Sequence, residues 1–397
     1  MWLWIVVFIA ILCVLAGIDF YFGHKKLVSL EKPPSKSKGE MQFLSTGYHF
    51  IDALFRDINE ASIHIHIQFY ILRDDELGGE LCSLLTKKAA EGVEIRLLLD
   101  YLGSYGVKKE TIQSLKKAGI HFQFSNKPGF PYFLYRINHR NHRKVTIIDG
   151  KTGYIGGYNV GNEYIGKDTK LGDWRDYHLR LSGDAVNELQ KSFITDWNIA
   201  SGENVPIPDL STQPASADQK EFMYVYSNGD AVYRFFYEKI QRAKKSILIG
   251  SPYFIPGKKM NRALLQALKR GVKVTLLVPM HPDHALVQEA SYRYLKPLLE
   301  AGASIYQFHE GFYHSKVLMF DERICDIGTA NFDYRSFFFN DEINCIFTDK
   351  AYIEDVKKVI ESDLARSEKL TLNRLKKTRT VPVRLKEAFS FIISPFL

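Results

Sequence analysis

The sequence predicts an α/β fold built twice: two domains with mixed or parallel sheets, related by a pseudo-twofold axis, with one site between them. Two observations predict it. Strand-like and helix-like stretches alternate along the chain, as in sheets covered by helices. A polar pattern also recurs inside apolar surroundings. His142-Arg143-Lys144-Val145-Thr146-Ile147-Ile148-Asp149 is echoed by His314-Ser315-Lys316-Val317-Leu318-Met319-Phe320-Asp321. Each copy is trailed at the same offset by a glycine and an asparagine, in Gly156-Gly157-Tyr158-Asn159 and Gly328-Thr329-Ala330-Asn331. A spacing of roughly 180 residues is far beyond a solenoid period and fits duplication of a whole domain.

Taken in order, residues 1–22 form an apolar run whose first 18 residues carry no charge. That is about the ~20 residues needed to cross a bilayer. Trp2, Trp4, Tyr21 and Phe22 lie near its ends, where interfacial aromatic residues sit. A cleaved signal would have basic residues before the run and a small-x-small site after it; here nothing basic precedes it and Gly23-His24-Lys25-Lys26 follows. The run reads as an uncleaved anchor, the chain as a single-pass protein of the cell membrane. Lys25, Lys26, Lys32, Lys36 and Lys38 face only Glu31 and Glu40, which places the catalytic domains in the cytoplasm. Residues 23–40 read as a basic linker.

A first domain is expected over 41–200. It opens with a helix over 48–60 and the strictly alternating strand 62–70. A helix near 79–91, a buried strand at 93–100, a helix near 109–118 and a strand at 120–124 follow. Residues 201–220, rich in Pro, Ser, Ala and Asp, read as an interdomain linker. A second domain over 221–365 repeats the plan: 235–245 echoes the opening helix, 246–253 the first strand, and 265–278 the next helix and strand. The tail, 366–397, is basic and then apolar. It reads either as a surface-lying membrane segment or as a helix packed on the domain.

The net charge of +8 fits attraction to an anionic surface, lipid or nucleic acid, without choosing between them. Cys13, Cys82, Cys325 and Cys345 form no CxxC pair, which argues against a disulfide framework or a zinc site. His139 and His142 lack acidic or cysteine partners for zinc. His64 and His66 share one face of the first strand, either lining the site or, the preferred reading for His64, satisfied in the core.

On a strand, His142 and Lys144 point to one face, as do His314 and Lys316. Lys144, Lys316, Asn159 and Asn331 then cradle a phosphate, and the two histidines supply a nucleophile and a proton donor. Asp149 and Asp321 have the opposite parity, so both read as structural, anchoring the turn after the strand. The chain shows neither a P-loop nor an acidic cluster for Mg²⁺. No metal and no cofactor are expected, and phosphoryl transfer through a covalent phosphohistidine suits that expectation.

These residues resemble the phospholipase D superfamily, whose hallmark is the duplicated HxKxxxxD motif, and within it bacterial cardiolipin synthases. The likeness runs from about Met41 onward. It includes Gln68-Phe69-Tyr70, Asn141-His142-Arg143-Lys144, Trp174-Arg175-Asp176, Pro252-Tyr253-Phe254-Ile255-Pro256 and Asn331-Phe332-Asp333-Tyr334-Arg335-Ser336. The resemblance implies a duplicated phospholipase D fold and a two-step transfer, with His142 as nucleophile and His314 as acid and base. It implies that Asp176 and Glu342 orient the histidines, with Asp176 taken as the partner of His142. It implies phosphatidylglycerol as both donor and acceptor, an anionic bilayer as the setting, and no nucleic acid. Hydrolysis by the same site is the alternative. A nuclease and a non-catalytic lipid-binding protein are weaker ones.

Overall fold

A computed structural model of the chain describes residues 2–27, 33–207, 219–284 and 286–393. The strand His64–Phe69 is buried at every position because both faces of the sheet are covered, by Phe50, Leu54 and Leu81 over Ile65 and Ile67 and by Gln190 and Phe193 over His64 and His66. It pairs in parallel with Glu94–Asp100 and antiparallel with Val145–Ile148. Outward, Glu94–Asp100 carries His121–Ser125 in parallel. Inward, Val145–Ile148 leads through Thr152–Gly156 and His178–Ser182 to Ser35–Leu44. The second half repeats this order with Ser304–Phe308, Lys273–Pro279, Ser246–Gly250, Val317–Phe320, Ile324–Gly328, Glu342–Phe347 and Lys220–Ser227.

The two half-sheets meet where Ser35–Leu44 pairs antiparallel with Lys220–Ser227, giving one mixed sheet of fifteen strands. Beneath this seam a shared core forms. Leu189, Phe193 and Trp197 from the helix Ala185–Ser201 join Val356 and Ile360 from Lys350–Ala365, with Tyr224, Val317 and Ile343 from the strands. Each half keeps its own outer core besides, around Phe50, Ile65 and Leu97 in the first and Phe236, Ile247 and Leu276 in the second.

Two sequence expectations change. The apolar helix runs Trp2–Leu27, beyond residue 22. The basic linker is shorter than 23–40, because Ser35–Leu44 is the seam strand of the sheet. Its outer half alternates between exposed and part-buried positions, and Lys36 pairs with Glu221 across the seam at 2.8 Å, so its polarity belongs to a half-solvated strand. Residues 28–32 of that linker, 208–218 of the interdomain linker and 394–397 of the tail lie outside the described residues. The tail forms an edge strand, Ser367–Lys369, and two helices, Leu372–Thr378 and Val381–Ile393. The last of these packs along Val287–Glu300, burying Glu387 and Ser390, and leaves Val381, Leu385 and Phe389 exposed at every fourth position.

The motif aspartates sit one residue past their strands, with φ of 53° at Asp149 and 55° at Asp321. Asp149 accepts from the N–H groups of Ser62, Ile63 and His64 at 2.8, 2.7 and 2.9 Å. Asp321 accepts from those of Lys244, Lys245 and Ser246. Burial alone would raise the pKa of Asp149, but the N–H groups of Ile63, Ser62 and His64 outweigh it and hold it below the usual value. Each carboxylate ties a turn to the start of the first strand of its half, far from the imidazole of its own motif. Asp149→Ala is therefore expected to lower unfolding free energy by about 1–3 kcal/mol, from the loss of charge-assisted bonds to three N–H groups. Denaturant unfolding in detergent measures the loss, and transfer per folded molecule should be kept.

Candidate active site

Two short parallel pairings between the halves build the site. Phe312–Tyr313 pairs with Trp174–Arg175, and Asn141 bridges Asp341. The His314 N–H donates to the Arg175 carbonyl at 2.8 Å, and the His142 N–H donates to the Asp341 carbonyl at 3.0 Å. One residue further along each pairing, His314 meets Asp176 and His142 meets Glu342. The histidines and lysines thus precede the sheet strands, which begin at Val145 and Val317, instead of lying within them. Leaving the sheet lets these residues pair with the other half.

The partnership is crossed. His142 Nδ1 lies 3.0 Å from both carboxylate oxygens of Glu342, and His314 Nδ1 lies 2.6 Å from Asp176 Oδ2. Asp176 as the partner of His142 is therefore corrected: it serves the histidine of the second motif, and Glu342 serves that of the first. Glu342 is also held by the Thr329 hydroxyl at 2.6 Å and the Asn340 amide at 3.3 Å. Its carboxyl is pulled down to about 2: burial pushes upward, but His142, Lys144 and Thr329 outweigh it. Asp176 is likewise lowered against burial by Lys316 and His314.

His142, His314, Asn159 and Asn331 line one cleft of about 650 Å³, with Tyr70, Trp174, Tyr253 and Arg335. Asn159 Oδ1 accepts from the Ile71 N–H, while Asn331 Oδ1 is buried and unpartnered. The lysines stand behind the imidazoles. Lys144 is fully buried, donates to the His142 carbonyl at 2.7 Å and lies 5.3 Å from the Tyr70 ring centre. Lys316 donates to the His314 carbonyl and lies 2.6 Å from His314 Nδ1 and 3.4 Å from Asp176 Oδ2. Burial lowers the pKa of both ammonium groups.

His139 is committed to Asp341, its Nε2 at 2.8 Å from the carboxylate. His64 and His66 lie away from the cleft, bound to Gln190 at 3.2 and 2.8 Å. Among the described residues no group of three His, Cys, Asp or Glu side chains is set to hold a metal ion.

The sequence pattern of the family described as "Cardiolipin synthase, PLD-like domain" matches residues 54–197 and 236–364, one stretch in each half. The chain belongs to this family. It is 38% identical over 395 residues to the "Minor cardiolipin synthase ClsB" of Bacillus subtilis (strain 168), covering 99% of this chain and 98% of that protein. It is 40% identical over 382 residues to a cardiolipin synthase of Oceanobacillus iheyensis, covering 94% of this chain and 79% of that one. The fold matches the crystal structure of phosphatidylserine synthase from Haemophilus influenzae Rd KW20 with a TM-score of 0.70 at 14% identity, over 90% of this chain and 95% of that one.

Sequence reasoning about this cardiolipin synthase missed Arg143, which stands between the histidine and the lysine of the first motif. It is buried, donates to Asp196 at 2.6 Å and to Asn228 at 2.8 Å, and also bonds the backbone carbonyls of Ser227 and Glu342. It therefore fixes the backbone of the carboxylate that faces His142. The second motif has Ser315 at this place, so the pattern of the repeat carried no signal for it.

Both imidazoles of the synthase titrate low. His142 is at about 4: burial dominates, Glu342 pulls upward and Lys144 presses down. His314 is at about 3, from burial and then Lys316, against the pull of Asp176. The unfolded chain takes up protons near the ordinary value of 6.5, where the folded chain does not. Their stabilisation is thus complete above pH 6.5 and declines as pH falls toward 4 and then 3. The unfolding midpoint should fall steadily below pH 6.5, and His142→Asn/His314→Asn should flatten that fall. An equal slope in both proteins would contradict the assignment.

Proposed function

We propose that this cardiolipin synthase moves a phosphatidyl group from one phosphatidylglycerol to another through a phosphohistidine on His142. The observation that supports this is the pair of crossed imidazole–carboxylate contacts facing a single cleft. Glu342 accepts from Nδ1–H of His142, which leaves the Nε2 lone pair directed at the cleft. His314 is placed differently, because Lys316 competes with Asp176 at its Nδ1. The first imidazole is the better-defined nucleophile and the second the proton carrier.

Nε2 of His142 attacks phosphorus; a P–N bond forms and the P–O bond to glycerol breaks. His314 gives its proton to the leaving glycerol oxygen. The hydroxyl of a second phosphatidylglycerol then loses its proton to His314 and attacks the same phosphorus. The P–N bond breaks, and cardiolipin leaves. With the cleft empty both imidazoles are neutral near pH 7. An incoming phosphodiester anion offsets the charges of Lys144 and Lys316, which allows His314 to hold its proton. Asn159 and Asn331 line the cleft and offer amides to the phosphate oxygens. The lysines neutralise it from behind.

The apolar helix serves as the single anchor in the cell membrane, with the catalytic halves on the cytoplasmic side. Its last turns support retention over removal. The Tyr135 N–H donates to Asp19 at 2.8 Å, Phe20 packs edge-on against Tyr135 and Phe339, and a Cβ at Gly23 would lie 2.5 Å from that of Tyr135. The test is purified synthase in detergent with labelled phosphatidylglycerol and a chelator. Cardiolipin and glycerol in equal amounts are expected. Phosphatidic acid in place of cardiolipin would make the enzyme a hydrolase, and loss of all turnover in chelator would reopen the question of a metal.

A further inference from the structure

We infer that the segment Phe130-Pro131-Tyr132-Phe133-Leu134 is an interfacial foot, which enters the bilayer surface beside the anchor and seats the cleft at the lipid headgroups. The inference rests on the anchor reading above. Phe130 is 87% exposed, Phe133 37% and Leu134 40%, and the rings of Phe130 and Phe133 stack at 5.4 Å. A cluster of exposed aromatic and aliphatic side chains on a soluble surface marks a contact site.

The anchor identifies what the cluster contacts. A helix rising 1.5 Å per residue crosses ~30 Å of hydrocarbon in about 20 residues. Counted from Trp2, the apolar helix leaves the hydrocarbon near Tyr21. That turn is the one packed on this segment: Asp19 receives the Tyr135 N–H, and a Cβ at Gly23 would meet the Tyr132 Cβ at 3.0 Å. Phe130 to Leu134 is thereby held at the level of the membrane surface. Exposed basic residues rim it, with His24, Lys25 and Lys26 on the helix and Lys127 in the loop after the strand His121–Ser125. Apolar tips within a basic rim match an anionic bilayer interface.

The same segment continues into the active site. The helix Phe133–Asn138 leads through His139 and Arg140 to Asn141 and His142, and Phe20 of the anchor touches Phe339, just before Asn340 at the cleft. Depth at Phe130 therefore sets where the cleft meets a lipid phosphate.

The test places a cysteine at Phe130 (Phe130→Cys, with Cys13→Ser and Cys82→Ser) in the full chain and labels it with a polarity-sensitive fluorophore. The protein is reconstituted in vesicles of phosphatidylglycerol and phosphatidylcholine that contain lipids spin-labelled near the headgroup. Blue-shifted emission with strong quenching is expected. A control labels native Cys13, with Phe130 intact and Cys82→Ser, in matching vesicles whose lipids are spin-labelled deep in the acyl chain, the depth at which Cys13 lies. Water-like, unquenched emission at position 130 with quenching at Cys13 would overturn the foot and leave the anchor standing. No quenching at either site would overturn both. A blue shift in lipid-free detergent that grows with protein concentration would assign the patch to a second copy and overturn the inference. In function, Phe130→Ser/Phe133→Ser should slow transfer on vesicles by about tenfold and leave dispersed short-chain phosphatidylglycerol within about twofold. Equal loss on both substrates would count against the foot.

Discussion

His142→Ala is expected to abolish cardiolipin formation and all covalent labelling, with transfer reduced by at least about 10⁴-fold. His314→Ala should lose transfer to a similar extent and yet trap the intermediate. The difference follows from what each group supplies. Without His142 there is no nitrogen to receive phosphorus. Without His314 the first step still proceeds when the leaving group needs no proton, as with a nitrophenyl phosphodiester. The acceptor hydroxyl then has no base, so the phosphohistidine persists. Mass spectrometry of peptides after a short incubation reads this directly. An adduct on His142→Ala and none on His314→Ala would exchange the two roles.

The carboxylates carry the second large effect. Glu342→Gln and Asp176→Asn each remove a charge and keep the volume, and each should reduce turnover by about 10²–10⁴-fold. Their losses should fall on different steps. Glu342 is ionised at any working pH, since it is held to about 2, and it bonds His142 alone of the two histidines. Its replacement should slow formation of the adduct, even from the activated diester. Asp176 contacts His314 and Lys316. Its replacement should spare labelling by the activated diester and slow release to the acceptor. Both should lower kcat more than they change KM.

Much of this site could be read from residue pattern because the chain states it twice. The paired motifs put His142 and His314 into one functional unit, and parity separated Asp149 and Asp321 from them. The atoms that the aspartates bind, the N–H groups of 62–64 and 244–246, lie in the turns that lead into strands distant in sequence, up to the first strand residue, and carried no local signal. The crossing of Asp176 and Glu342 was hidden for a related reason. It depends on two parallel pairings between halves, Tyr313 with Arg175 and Asn141 with Asp341, and side-chain spacing within one half does not encode the register between them. Arg143 escaped because its partners Asp196, Ser227 and Asn228 come together only at the seam. The seam strand was read as linker because Ser35 to Glu40 is polar. Ser35–Gly39 pairs with Lys220–Ser227 and Glu40–Leu44 with His178–Ser182, so the strand is set by its backbone bonds, and polar side chains on its half-open part do not oppose it.

The most direct measurement is a double-mutant cycle on the unfolding free energy in detergent at pH 7. It uses His142→Asn together with Glu342→Gln and Asp176→Asn. If each half is completed by the other, the Glu342→Gln penalty should vanish once His142 is gone, a coupling of about 2 kcal/mol or more, and the Asp176→Asn effect should be unchanged. Coupling between His142 and Asp176, with additivity between His142 and Glu342, would contradict the crossed site.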